Sequence, residues 1–182
     1  GLMLKVIFYR VIPVMADIVN IKSAALFSVS NDLRHVVLEA GYPEEGYHEI
    51  GKNFPVESEP VFELLLNLRS YAGDALYEVV TPAYGLVVDP QRSTLISANL
   101  KRFASYWNIN SILYIPLKVD GEVTHFITLD ALEHRLRYRE EEIEVFLFLG
   151  RELMKAQRME RLDDALHDFK NPAIATAGFE AA

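Results

Sequence analysis

Residues 111–119 and 122–130 are two apolar, strand-like runs separated by Asp120-Gly121. Asp-Gly between such runs predicts a β-hairpin, because its two-residue turn needs positive φ at both central positions. The hairpin commits this part of the chain to an antiparallel sheet. Residues 24–30 and 34–40 flank Asn31-Asp32-Leu33 and predict a second strand pair across a turn. From about Tyr138 to Lys170 the chain has no Gly or Pro except Gly150 and is rich in Glu, Leu, Arg and Met, which predicts one long helix. Several helices around a hairpin-containing antiparallel sheet make an α+β domain.

The middle of the chain is less regular. Ser58 is suited to cap a helix whose early Pro60 is tolerated there, and that helix is predicted to run to about Ser70. Residues 75–80 predict a strand and residues 99–107 a short helix. Between them, residues 81–97 carry Pro82, Gly85 and Pro90 and predict a long loop, of the kind that often has a function. No strand leads into a Gly-rich phosphate cradle, so nothing supports a dinucleotide or P-loop fingerprint. No internal repeat is visible.

Leu2 to Asn20 is apolar enough to suggest a membrane span, but Lys5, Arg10, Asp17 and Pro13 interrupt it. Each charge near the centre of a span costs roughly 2.5–3.5 kcal/mol, so the segment is read as a packed helix and no span is expected. Gly1 in place of an initiator Met leads to the expectation of a piece of a longer protein. The 182 residues suit one domain with a short appendage. The absence of cysteine excludes disulfides, thiolate metal sites and thiol nucleophiles, and fits a reducing, cytoplasmic setting. A net charge of -8 argues against nucleic-acid binding by charge alone. His35, His48, His125 and His134 have no ligand spacing, so no metal or haem site is expected.

The long C-terminal helix has an apolar seam at Phe146, Leu149, Leu153 and Ala156. Met159, Leu162, Leu166 and Phe169 continue it after two successive steps of three, equivalent to a stammer. Such a seam with mixed charges around it suits a parallel homodimer. The alternative is an amphipathic helix packed back on its own domain. Near its end the helix reads His167-Asp168-Phe169-Lys170-Asn171-Pro172. This resembles the phospho-acceptor box of sensor histidine kinases, and all six positions match in type. The resemblance implies His167 as phospho-acceptor, Asp168 as its acid/base partner, Lys170 as a phosphate contact and Asn171 as the residue that orients water for phosphatase activity. The alternative for His167 is an exposed helix histidine beside Asp163 and Asp164.

The preceding residues resemble a GAF domain in their order: an N-terminal helix, two strands, an irregular helical middle, a strand carrying Ile115-Pro116-Leu117, the Asp120-Gly121 turn, a last strand, then Glu141-Glu142-Ile143 leading a helix. The related PAS fold is the competitor, usually shorter and without the long apolar N-terminal helix. The resemblance implies a GAF-like antiparallel sheet flanked by helices, with a long C-terminal coiled-coil signalling helix. It divides the chain into residues 1–157 as a sensor domain and residues 158–182 as the truncated start of a kinase dimerisation and phospho-acceptor region.

The signature of cyclic-nucleotide-binding members is absent, the last strand carries the bulkier Thr124-His125-Phe126-Ile127-Thr128, and no cysteine can hold a bilin. A noncovalent small ligand of unknown identity fits what is left. Phe103, Tyr106 and Trp107 are candidate walls for it and Arg92 or Arg102 a candidate anion contact; the alternative is that the aromatics are core. Two functions compete. One is the sensory and dimerisation fragment of a cytoplasmic two-component histidine kinase, with ATP and Mg entering only through the ATP-binding domain of the full-length protein and a response regulator as partner. The other is a noncatalytic ligand-binding or dimerisation module. A self-contained enzyme is disfavoured, because no acid, base and nucleophile converge outside the box.

Overall fold

The structure, a computed structural model, describes residues 2–44, 49–73 and 76–170. In chain order the elements are α1 (Leu2–Val19), β1 (Ser23–Val29), β2 (His35–Tyr42), β3 (Asn53–Pro55), a single 3-10 turn, α2 (Pro60–Leu65), β4 (Glu78–Val80), β5 (Gly85–Val87), α3 (Ala98–Tyr106), β6 (Ser111–Val119), β7 (Glu122–Ala131) and α4 (Glu140–Lys170). The strands form one antiparallel sheet in the order β3-β2-β1-β7-β6-β5-β4. The predicted hairpin is its centre: Val119 pairs with Glu122, and Asp120 and Gly121 take φ of 52° and 82°.

Strand alternation sorts the side chains onto two faces. Leu113, Ile115, Leu117, Ile127 and Leu129 point toward α1 and α4. Ile112, Tyr114 and Phe126 point the other way, toward α2, α3 and the segment between β5 and α3. α1 turns Leu4, Phe8, Ile12, Met15 and Val19 into the first cluster, spacing that keeps one helical face inward. The two outer helices lie side by side. Near one end Arg135 donates to the Val19 carbonyl at 3.1 Å and pairs with Glu142 at 3.2 Å; near the other the Met3 amide donates to Glu160 Oε1 at 2.6 Å. Gly150, the one interruption of the helix-forming run, lies where α4 meets β6. A Cβ there would come within 3.0 Å of Leu117 Cδ2.

The same asparagine device closes three helices. Asn20, Asn67 and Asn108 sit at φ of 55°, 58° and 55° after α1, α2 and α3. The next amide in each case bonds back five residues: Ile21 to Ala16 at 3.2 Å, Leu68 to Glu63 at 2.8 Å, Ile109 to Ala104 at 2.7 Å. This is why α2 stops at Leu65 and not near Ser70 as the sequence suggests. Two other expectations shift. The strand predicted over 75–80 is confined to Glu78–Val80, with Ala75 outside the described residues, and the predicted loop over 81–97 contains the three-residue strand β5.

Candidate functional site

Two regions bear on the functions the sequence suggests. The first is a recess of about 570 Å³ beside the sheet. Val61 and Leu65 from α2, Val80 and Gly85 from β4 and β5, and Pro116 from β6 supply apolar wall. Arg69, Ser70, Tyr71, Thr81 and Lys118 add polar groups, and among the described residues no carboxylate lines it. Part of this polarity is already engaged. Arg69 pairs with Glu63 at 3.1 Å, Thr81 Oγ1 accepts from the Tyr84 amide at 3.1 Å, and the Tyr71 hydroxyl donates to Glu78 Oε2 at 3.2 Å. Lys118 is exposed.

The same face of the sheet is otherwise filled by its own aromatics. Phe27 stacks on Phe126 with centroids 4.8 Å apart, and Phe62 leans on Phe126 at 5.2 Å. Tyr114 is buried next to them in this cluster, and burial pushes its hydroxyl well above the ordinary tyrosine range.

Two buried carboxylates tie the segment before α3 to the rest. Glu78 accepts from Ser93 Oγ at 2.9 Å, the Thr94 amide at 2.9 Å and Thr94 Oγ1 at 3.0 Å. Glu59, which precedes α2, accepts from the Ser97 amide at 2.9 Å and from the Ser97 hydroxyl; burial holds its carboxyl above the usual range against those bonds. Ser97 also caps α3 by accepting from the Leu100 amide at 3.2 Å. A third buried carboxyl, Asp130 on β7, accepts from Ser23 Oγ at 2.6 Å and is pushed up to about 6 by burial. Sequence reasoning missed all three. The available signal was an acidic residue inside an apolar strand pattern, as in Thr128-Leu129-Asp130-Ala131.

The five residues singled out as ligand contacts stand elsewhere. Phe103, Tyr106 and Trp107 lie on the outside of α3 at 45%, 80% and 45% exposure, so they form neither core nor wall of the recess. Arg92 lies 5.7 Å from the Tyr77 ring and 3.7 Å from Asp89, and Arg102 bonds to Asn99 one turn back. None of the five lines the recess. Of the histidines, His35 is exposed, His134 Nδ1 is 3.4 Å from the Val88 carbonyl, and His125 is buried on β7 with Thr124 Oγ1 2.9 Å from its Nδ1. His48 lies outside the described residues. Among the described residues no group of three or more His, Asp or Glu is placed to hold a metal ion. Nor is any helix there long and apolar enough to cross a membrane.

The second region is the end of α4. His167, Asp168 and Lys170 are exposed in its last turn; Asn171 and Pro172 lie outside the described residues. The seam leading there divides in two. Phe146, Leu149, Leu153 and Ala156 are buried in the domain's own core, so this half packs on its own domain and not on a partner. Met159, Leu162, Leu166 and Phe169 are exposed by 57%, 55%, 50% and 84%.

No family model matches the chain, and no curated protein matches it by sequence. Solved structures do match it in shape. The GAF domain/HD domain protein from Geobacter sulfurreducens superposes with a TM-score of 0.68 at 11% identity, covering 87% of this chain and 94% of that one. The GAF domain of a phosphoenolpyruvate-protein phosphotransferase from Coxiella burnetii gives 0.66 at 15% identity over 90% and 86%. The GAF domain of a two-component sensor histidine kinase from Bacillus halodurans gives 0.59 at 16% identity over 86% and 97%. The chain has a GAF fold: a seven-stranded antiparallel sheet between helices, continued by a long C-terminal helix.

Proposed function

We propose that this chain is the sensory and dimerisation part of a cytoplasmic two-component sensor histidine kinase, with His167 as the phospho-acceptor. The observation that carries the reading is the hexad His167 to Pro172 at the end of a helix that leaves a GAF fold without a break up to Lys170. A sensor histidine kinase among the structural neighbours supports it.

The chemistry follows from the residue types. In the transfer, an imidazole nitrogen bonds to the terminal phosphorus of ATP while the bond to ADP breaks, so that nitrogen must hold a free lone pair. Asp168 accepts a hydrogen bond from the other ring nitrogen, fixes the tautomer and stabilises the imidazolium as it forms. Lys170 balances phosphate charge, and Asn171 orients the water that later removes phosphate from the response regulator. ATP and Mg come with the kinase's ATP-binding domain. Their chemistry is to supply the activated phosphoryl group and to neutralise its charge.

A second copy of the chain covers the exposed seam from Met159 to Phe169 and makes the homodimer. The recess beside β4–β6 takes the small ligand, its apolar wall the ligand's body and Lys118 or Arg69 an anionic group.

The test supplies a histidine-kinase ATP-binding domain, in the natural reading frame or in trans, with radiolabelled ATP and Mg. Acid-labile label is expected on the parent and absent from His167→Gln. Folded, dimeric parent that takes no label, or a His167→Gln variant that labels equally, overturns the reading in favour of a noncatalytic binding module.

A further inference from the structure

The exposed face of α3 belongs neither to the recess nor to the seam. Phe103, Tyr106 and Trp107 stand at i, i+3 and i+4, which places them on one side of the helix, while only Ala104 of α3 is buried. The Tyr106 and Trp107 rings meet edge to face at 5.1 Å, and Phe103 lies 6.3 Å from Trp107. Lys22 donates to the Trp107 carbonyl and stands 6.0 Å from its ring, which ties the helix end to the start of β1. Single exposed apolar residues need no explanation, but three large rings in contact do.

The stretch of chain that carries them is basic. Residues 90–119 contain Arg92, Lys101, Arg102 and Lys118 and no Asp or Glu, in a chain whose net charge is -8. Arg92 is engaged with Asp89 and Tyr77; the cations beside the rings are Arg102, exposed one turn before Tyr106 and bonded to Asn99, and Lys22 at the Trp107 carbonyl. Aromatic anchors with Arg at the rim are the composition of a protein-binding hot spot. An anionic bilayer asks for a denser basic cluster, on the order of 4–8 Lys and Arg.

We propose that the outer face of α3 is a docking surface for an acidic protein segment that carries apolar side chains between its carboxylates. The rings take the apolar side chains, and Arg102 and Lys22 face the carboxylates. The charges set the approach and the rings supply most of the hold.

Trp107 is the only tryptophan of the chain, so its fluorescence reports on this surface alone. The probe is a short peptide alternating Glu with Leu and Phe, titrated into the whole chain. Controls are the same peptide with Lys for Glu, and phosphatidylserine–phosphatidylcholine vesicles. The expected result is a saturable blue shift with the acidic peptide only, weakened by salt, with the dissociation constant raised about tenfold by Arg102→Glu and about tenfold by Tyr106→Ala. Both side chains are exposed, and unchanged circular dichroism and melting temperature of the variants show that the fold is kept. Four results overturn the proposal: no saturable shift, an equal shift with the basic peptide, a shift with vesicles but not peptide, or a shift on raising protein concentration alone, which would mean a second copy.

Discussion

The two halves of α4 share one apolar spacing and have opposite surroundings. Phe146, Leu149 and Leu153 are completely buried against the sheet and α1, whereas Met159, Leu162, Leu166 and Phe169 are half or more exposed. The phase change between Ala156 and Leu162 falls where the domain's own cover ends, beside the bond from the Met3 amide to Glu160. Heptad spacing thus shows that a stripe must be covered, and says nothing about what covers it. In the first half the cover is the domain. In the second half, by the reading proposed above, it is another copy.

The largest effect should come from emptying the inner half. Phe146→Ala removes a fully buried ring that meets Tyr138 edge to face at 5.2 Å, and should cost about 3–5 kcal/mol in chemical denaturation. A loss below about 1 kcal/mol would mean that this half is not core.

A smaller effect is pH-dependent and belongs to the layer beneath the inner half. Burial holds the His125 imidazole down at about 4, against 6.5 for an exposed one. The unfolded chain therefore takes the proton first, and the contribution of His125, full above 6.5, is lost as pH falls toward 4; it approaches about 3 kcal/mol. Asp130 has the opposite sign. Its carboxyl is raised from 3.8 to about 6, so its contribution is full below 3.8 and lost as pH rises through 6. Between these limits the two offset each other. Denaturation midpoints measured from pH 7 down to 4 should rise for His125→Gln and fall for Asp130→Asn, each relative to the parent. If both variants keep the parent's slope, these two groups do not set it.

The smallest effect on folding is expected in the outer half. Leu162→Asp should leave the stability of the single chain within about 0.5 kcal/mol of the parent. It should nevertheless raise the dimer dissociation constant at least about tenfold in sedimentation equilibrium. An unchanged dissociation constant would remove Leu162 from the interface.

How much of this was legible in the sequence depends on how local the cause is. The Asp120-Gly121 hairpin was, because the turn's backbone demand lies within two residues. The early stop of α2 was not: Asn67 closes the helix in a left-handed conformation that asparagine marks less clearly than glycine. β3 and β5 are three residues each, too short to show a period. The recess joins α2, β4, β5 and β6, which come together only in the folded sheet. The aromatics of α3 have the spacing of a buried face, yet Ala104 is what turns inward. The His167 hexad was legible as a motif, since its six positions are consecutive.

Hydrogen exchange along α4 at several protein concentrations tests the division of this helix most directly. Amides of residues 144–156 should be protected to the same degree at every concentration, because the domain covers them. Amides of residues 161–170 should be protected only where the dimer is populated, and should lose that protection in Leu162→Asp. Protection of both halves that is independent of concentration, or an outer half that exchanges freely in the dimer, would contradict the account.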